Sequence, residues 1–209
     1  MALLKKSKTA LPAILAITLI ALAIVGFSYA HWYENLWLTG EVKTGNLCAR
    51  FWGIVTRTDT GKDWTCDEGF NNVRQINKDI GSSNAYFIDT NKDGCNDTLV
   101  VELNNVYPCY YEHMAFWIHN CGTIPWKIVR VNFTTPYETK SITKPSYLTL
   151  DLNGDKKADI ELYWGNNFGQ QVDPCGRVDI SFDIHVLQPC PENTKLKFTA
   201  TIIMVNWNE

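Results

Sequence analysis

Two stretches of this chain repeat the spacing of oxygen-bearing side chains that a hard cation requires. In the first, Asp89, Asn91, Asp93 and Asp97 stand at positions 1, 3, 5 and 9, with Gly94 easing the turn. In the second, Asp151, Asn153, Asp155 and Asp159 repeat those positions. The main-chain carbonyls of Cys95 and Lys157, at position 7, add a fifth oxygen to each set. Such donors suit calcium, which takes about six to eight oxygens, better than magnesium, whose strict octahedral shell usually keeps several waters. Position 12 holds Val100 in one loop and Leu162 in the other, not the bidentate Glu of an EF-hand. Each loop alone is therefore short of a full shell, and water, another loop or a neighbouring subunit must complete it. The plain alternative is a pair of Asp/Asn-rich hairpin loops with no ion, and Lys156 and Lys157 in the second loop oppose a dication.

Other chemistry is sparse. No H-E-x-x-H, G-x-S-x-G or G-x-x-x-x-G-K occurs, so no catalytic residues are expected and the chain does not read as an enzyme. His113 and His119 are six residues apart, too far for adjacent ligands on one strand, and with Trp117 they form an aromatic face instead. The seven cysteines, Cys48, Cys66, Cys95, Cys109, Cys121, Cys175 and Cys190, contain no C-x-x-C pair. In an exported chain they read as disulfide candidates, three bridges with one thiol left over. Asn96 and Asn132 begin glycosylation sequons.

Export is itself a reading of the N-terminus. Lys5, Lys6 and Lys8 precede an apolar run over residues 11–25, and Ser28 and Ala30 supply small residues at −3 and −1. Residues 1–30 thus read as a signal peptide cleaved to leave His31 first. Left uncleaved, residues 11–30 are long enough for a membrane anchor or a pilin-like helical stem; after cleavage no membrane partner is expected. The chain has a formal net charge of −3, and cleavage removes three lysines, so nucleic acid is not an expected partner.

The elements that must position these groups are strands. After residue 30, apolar residues alternate with a period of two. Tyr110, Met114, Phe116 and Ile118 share one face, with His113, Ala115, Trp117 and His119 opposite. Val178, Ile180, Phe182, Ile184 and Val186 repeat the pattern, as do Leu196, Phe198, Ala200, Ile202 and Met204. Gly122 and a series of prolines separate the runs. About nine short strands over residues 46–209 predict an all-β, antiparallel jelly-roll β-sandwich. Residues 56–83 read as a long loop or insertion. Residues 31–45 read as a half-buried N-terminal strand whose apolar face is Trp32, Leu36, Leu38 and Val42. A strand at a free terminus is easily donated to a neighbour's open edge.

Two segments carry a resemblance. Tyr107, Pro108 and Cys109, followed by the run from Phe116 through Asn120, Gly122, Thr123, Pro125 and Ile128, are similar to a recurring strand of the TasA/camelysin proteins. The C-terminal half from Asp173 to Glu209 resembles that family's closing strands, and Thr44, Gly45 and Leu47 its element after the signal peptide. Cys109 and Cys175 stand where the family usually has Gly after Pro. The resemblance implies a secreted jelly-roll subunit of an extracellular filament, closest to archaeal pilus or cannula-type proteins and joined by donor-strand complementation. Some such filaments depend on calcium. The expected function is therefore a homopolymer subunit, calcium-stabilised, held by its donated N-terminal strand. The alternative is a monomeric secreted β-sandwich, also calcium-stabilised, that binds carbohydrate or a cell surface.

Overall fold

In this computed structural model, which describes residues 10–29, 39–165, 167–188, 190–191 and 194–209, the chain forms two compact units, Met1–Lys43 and Thr44–Glu209. In the first, α1 (Ala10–Tyr29) is almost wholly apolar and starts with Pro12 in its first turn, where the missing N–H breaks no helical bond. The side chains of residues 11–26 are exposed on all sides. Among the described residues, no helix is long and apolar enough to cross a membrane. Of the proposed donor face, Trp32, Leu36 and Leu38 lie outside the described residues, and Val42 is 88% exposed. Residues 39–48 have no regular structure.

The second unit is built from β1 (Ala49–Arg57), β2 (Trp64–Asp67), β3 (Asn71–Gln75), β4 (Ser82–Ile88), β5 (Thr98–Asn104), β6 (Tyr110–Asn120), β7 (Trp126–Thr134), β8 (Thr139–Ile142), β9 (Ser146–Leu150), β10 (Ile160–Trp164), β11 (Gln171–Val172), β12 (Arg177–Val186) and β13 (Lys195–Asn206). They make two antiparallel sheets. One runs β3-β2-β6-β12-β10-β9, with β1 pairing β6 beyond the end of β2. The other runs β11-β7-β13-β5-β4, with β8 pairing β7 beyond β11. The fold is thus an all-β sandwich of two sheets.

Alternation places the core. Tyr110, Met114, Phe116 and Ile118 of β6 are buried, as are Val178, Ile180, Phe182, Ile184 and Val186 of β12 and the inward residues of β13 as far as Ile202. Between the sheets, Trp164 stacks on Phe182 at 5.7 Å and meets Phe133 edge-on at 5.9 Å. Each such aromatic removed from water stabilises the sandwich by about 1.5–3 kcal/mol.

Two expectations need correction. Among the described residues there are thirteen strands rather than about nine. Residues 56–83 are not a plain loop, because they carry β2, β3 and the start of β4. Between β2 and β3, the 3-10 turn Glu68–Phe70 lays Phe70 against Tyr111, Tyr147, Tyr163 and His185. That cover explains why His185, on the polar face of β12, is only 3% exposed. Cys66, in β2, lies fully buried at the root of this excursion.

Candidate functional site

The two acidic loops fold to one hydrogen-bond plan. In the loop between β4 and β5, Asp89 accepts the amides of Lys92 and Gly94 at 2.7 and 2.8 Å. In the loop between β9 and β10, Asp151 accepts those of Gly154 and Lys156 at 2.6 and 2.8 Å. Position 3 accepts from position 5, with Asn91 taking Asp93 N–H and Asn153 taking Asp155 N–H. Position 5 accepts from position 7, Asp93 from Cys95 and Asp155 from Lys157. Position 9 reaches back to positions 2 and 3, Asp97 to Thr90 and Asn91, Asp159 to Leu152 and Asn153.

The backbone agrees. Positions 4 and 6 have positive φ in both loops, at Lys92 and Gly94 in one and at Gly154 and Lys156 in the other. Glycine and lysine exchange places between two copies of one turn. At Gly154 the φ of +88° favours glycine, and Tyr137, whose ring lies 2.7 Å from where a Cβ would sit, leaves no room for a side chain unless it moves.

Electrostatics separate the two loops. Burial would raise the Asp97 carboxyl, but hydrogen bonds from Thr90, Thr98 and Asn91 outweigh it and hold it below the usual carboxylate range. Asp151 is lowered in the same way by the loop amides. Asp159 goes up, first through burial and then through the like charges of Asp151 and Asp155, despite the amides of Leu152 and Asn153. The second loop thus carries unrelieved negative charge that a cation would neutralise. Among the described residues, no three His, Cys, Asp or Glu side chains converge closely enough to hold a metal unaided. The donor set that fits calcium is the mixed one of carboxylates, the Asn amides and the position-7 carbonyls, and it remains short of a full shell.

A second feature adjoins the first loop. β13 pairs with β7 along residues 199–206, but its ladder with β5 stops at Ala200, because β5 begins at Thr98. On that side, residues 201–206 have no strand partner among the described residues. Beside them opens a cavity of about 200 Å³ between the sheets, floored by Phe51, Ile118, Ile202 and Met204 and rimmed by Asn96 and Asp97 of the acidic loop. Sequence reasoning missed this slot. Its signal was a length mismatch, since the apolar alternation of β13 outruns that of β5.

The remaining candidates fall in several places. Cys48 and Cys121 form the one disulfide among the described residues, with Cα atoms 5.0 Å apart, joining the chain before β1 to the end of β6. Cys66, Cys95, Cys109, Cys175 and Cys190 are free thiols. Burial pushes Cys66 and Cys190 up to about 12. Of the sequons, Asn96 is exposed on the slot's rim, whereas Asn132 lies within β7 and accepts a hydrogen bond from Ser141. His113 pairs with Asp183 at 2.7 Å. Trp117 lies opposite Trp52 across β1 and β6, and Arg50 and Arg177 stack on the two indoles at 5.2 and 4.9 Å.

No protein family, no curated protein and no solved structure matches this chain.

Proposed function

We propose that this chain is a structural subunit of an extracellular filament, a homopolymer joined when the N-terminal strand of one subunit enters the slot of the next. The observation that carries the reading is the unpaired edge of β13 at residues 201–206 above an apolar floor. An open edge with apolar surface beneath it is unstable against pairing and is completed best by an added strand. Trp32, Leu36, Leu38 and Val42 give the N-terminal segment the alternating apolar face such a strand needs. Within this reading, residues 1–30 are a signal peptide, the sandwich is a jelly roll and the protein is not an enzyme. The likeness to TasA/camelysin fibre subunits supports it.

Calcium belongs to the same proposal. Asp89, Asn91, Asp93, Asp97 and the Cys95 carbonyl would hold one ion; Asp151, Asn153, Asp155, Asp159 and the Lys157 carbonyl would hold another. Asp97 belongs both to a loop that lacks ligands and to the rim of the slot. An incoming strand passes that loop, so its carbonyls are placed to complete the shell and couple the ion to assembly.

A shortened exported chain tests the slot. Removing residues 31–43 should leave a folded sandwich that no longer polymerises, and a peptide of residues 31–43 should bind it. Continued polymerisation without that segment would sink the proposal.

One observation favours the second reading, a monomeric module binding carbohydrate or a cell surface. Trp52 and Trp117, 44% and 43% exposed, lie side by side on the outer face. Saturable binding of a soluble glycan by a monomer, lost in Trp117→Ala, would favour that reading.

A further inference from the structure

β6 is the longest strand of its sheet, and a cysteine follows it at one end and precedes it at the other. At its C-terminal end stands Cys121. The ladder of β1 with β6 ends at Ala49 opposite Asn120, so Cys48 is opposite Cys121 one step further on, and Cys121 N–H donates to Cys48 C=O at 3.1 Å. These two are bridged. At the N-terminal end stands Cys109. The ladder of β2 with β6 ends with Thr65 opposite Tyr110, so Cys66 is opposite Cys109 one step further on, and Cys66 N–H donates to Cys109 C=O at 3.0 Å. The second pair stands to its strands as the first does.

The geometry points to a second cross-strand disulfide, Cys66–Cys109, which would lock β2 to the start of β6 as Cys48–Cys121 locks the approach to β1 to its end. Directly opposed residues of antiparallel strands have Cα atoms about 4.5–5.5 Å apart, within the roughly 4.4–6.8 Å that a disulfide spans. The other three thiols have no such opposed partner. Cys95 lies in the first acidic loop, Cys175 precedes β12, and Cys190 follows it.

Surroundings agree with the pairing. Cys66 is fully buried, and its thiol is pushed up first by that burial and next by Cys109, ahead of Asp67, Glu161 and Asp183. Cys109 lines a cavity with Glu68 and His185, under the excursion that carries Phe70. A bridge here fixes the root of that excursion and so the cover over His185, Tyr147 and Tyr163.

The chemistry is thiol–disulfide exchange with an external disulfide as oxidant. The Cys109 thiolate, the more exposed, attacks one sulfur of that disulfide and releases the other as a thiol. The Cys66 thiolate then attacks the Cys109 sulfur and expels the second thiol. One Cys66–Cys109 bond forms, two S–H bonds are lost, and two electrons and two protons reduce the oxidant to two thiols. This inference rests on the proposal that the chain is exported, since only an oxidising compartment keeps such a bridge.

The test is alkylation of the full chain, purified without reductant or refolded in a mixture of oxidised and reduced glutathione, then denatured and digested. Of the seven cysteines, three should take label, Cys95, Cys175 and Cys190, and a peptide joining Cys66 to Cys109 should be found. Cys109→Ala should convert Cys66 to a labelled thiol while leaving Cys48–Cys121 intact. Five labelled cysteines with Cys48–Cys121 present, or a bridge from Cys66 or Cys109 to any other cysteine, would overturn the pairing alone. Absence of both bridges would overturn it together with the exported reading.

Discussion

At the scale of the residue, like charges among Asp151, Asp155 and Asp159 separate calcium binding from mere loop structure. Asp159 ionises against its neighbours. Asp159→Asn keeps the bonds from the Leu152 and Asn153 amides through its amide oxygen. It turns its NH2, however, on the Asn153 side-chain NH2, which now donates to the other oxygen, so it should cost about 1–3 kcal/mol without calcium. The same change should abolish the stabilisation calcium gives through this loop. An ion at a hundred times its dissociation constant adds about 2.7 kcal/mol to a folded site. For a domain of this size that is roughly 5–10 °C in melting temperature. Thermal unfolding of both proteins with calcium and with chelator checks this. A wild-type curve indifferent to calcium, or a variant that still responds through this loop, contradicts it.

His113 gives a pH dependence. Its hydrogen bond to Asp183 raises it above the ordinary 6.5, outweighing burial. A raised histidine contributes stability that is fully present below 6.5 and disappears as pH climbs through the folded value. His113→Gln should remove this slope and leave a flatter stability–pH curve above pH 6.5 by denaturant titration. Tyr111, which also donates to Asp183, keeps the carboxylate satisfied in the variant.

At the scale of the element, the strands were legible where one face is buried and the other wet. The β6 span and its inward face follow directly from Tyr110, Met114, Phe116 and Ile118, because beyond Tyr111, which Phe70 covers, the outward face from His113 to His119 is at least partly exposed. β12 fails at one residue, His185, because Phe70 arrives from an excursion whose strands are too short and too polar to alternate visibly. β3 has no buried residue, so its sequence carries no period at all. The acidic loops could be read because their spacing is the chemistry, and the lysine at position 6 of the second loop disguised a backbone identical in plan to the first. The slot escapes a strand-by-strand reading, since its signal is the mismatch between two strands, where β5 stops relative to β13. It makes a prediction of its own. Met204, half-buried on the slot floor, packs only against the margin of the core, so Met204→Glu should still fold, with a lowered melting temperature, yet fail to polymerise. Circular dichroism and sedimentation check this together, and normal polymerisation by the variant contradicts it.

At the scale of the whole molecule, the core and the slot make opposite demands. The interior aromatic stack is complete within one chain, and Phe182→Ala should destabilise the monomer by about 3–5 kcal/mol through the cavity left beside Trp164 and Phe133. Chemical denaturation measures it. In the proposed filament the open β13 edge is instead a deficit that one chain leaves to another. The first acidic loop sits on its rim, so in that proposal assembly and ion binding share residues. The most direct measurement is electron microscopy of the purified exported chain in calcium, followed by chelator. Filaments are predicted, with residues 32–42 of one subunit lying along residues 201–206 of the next, and they should loosen when the ion is removed. Dispersed monomers in both conditions, or filaments whose slots stay empty, would contradict the account.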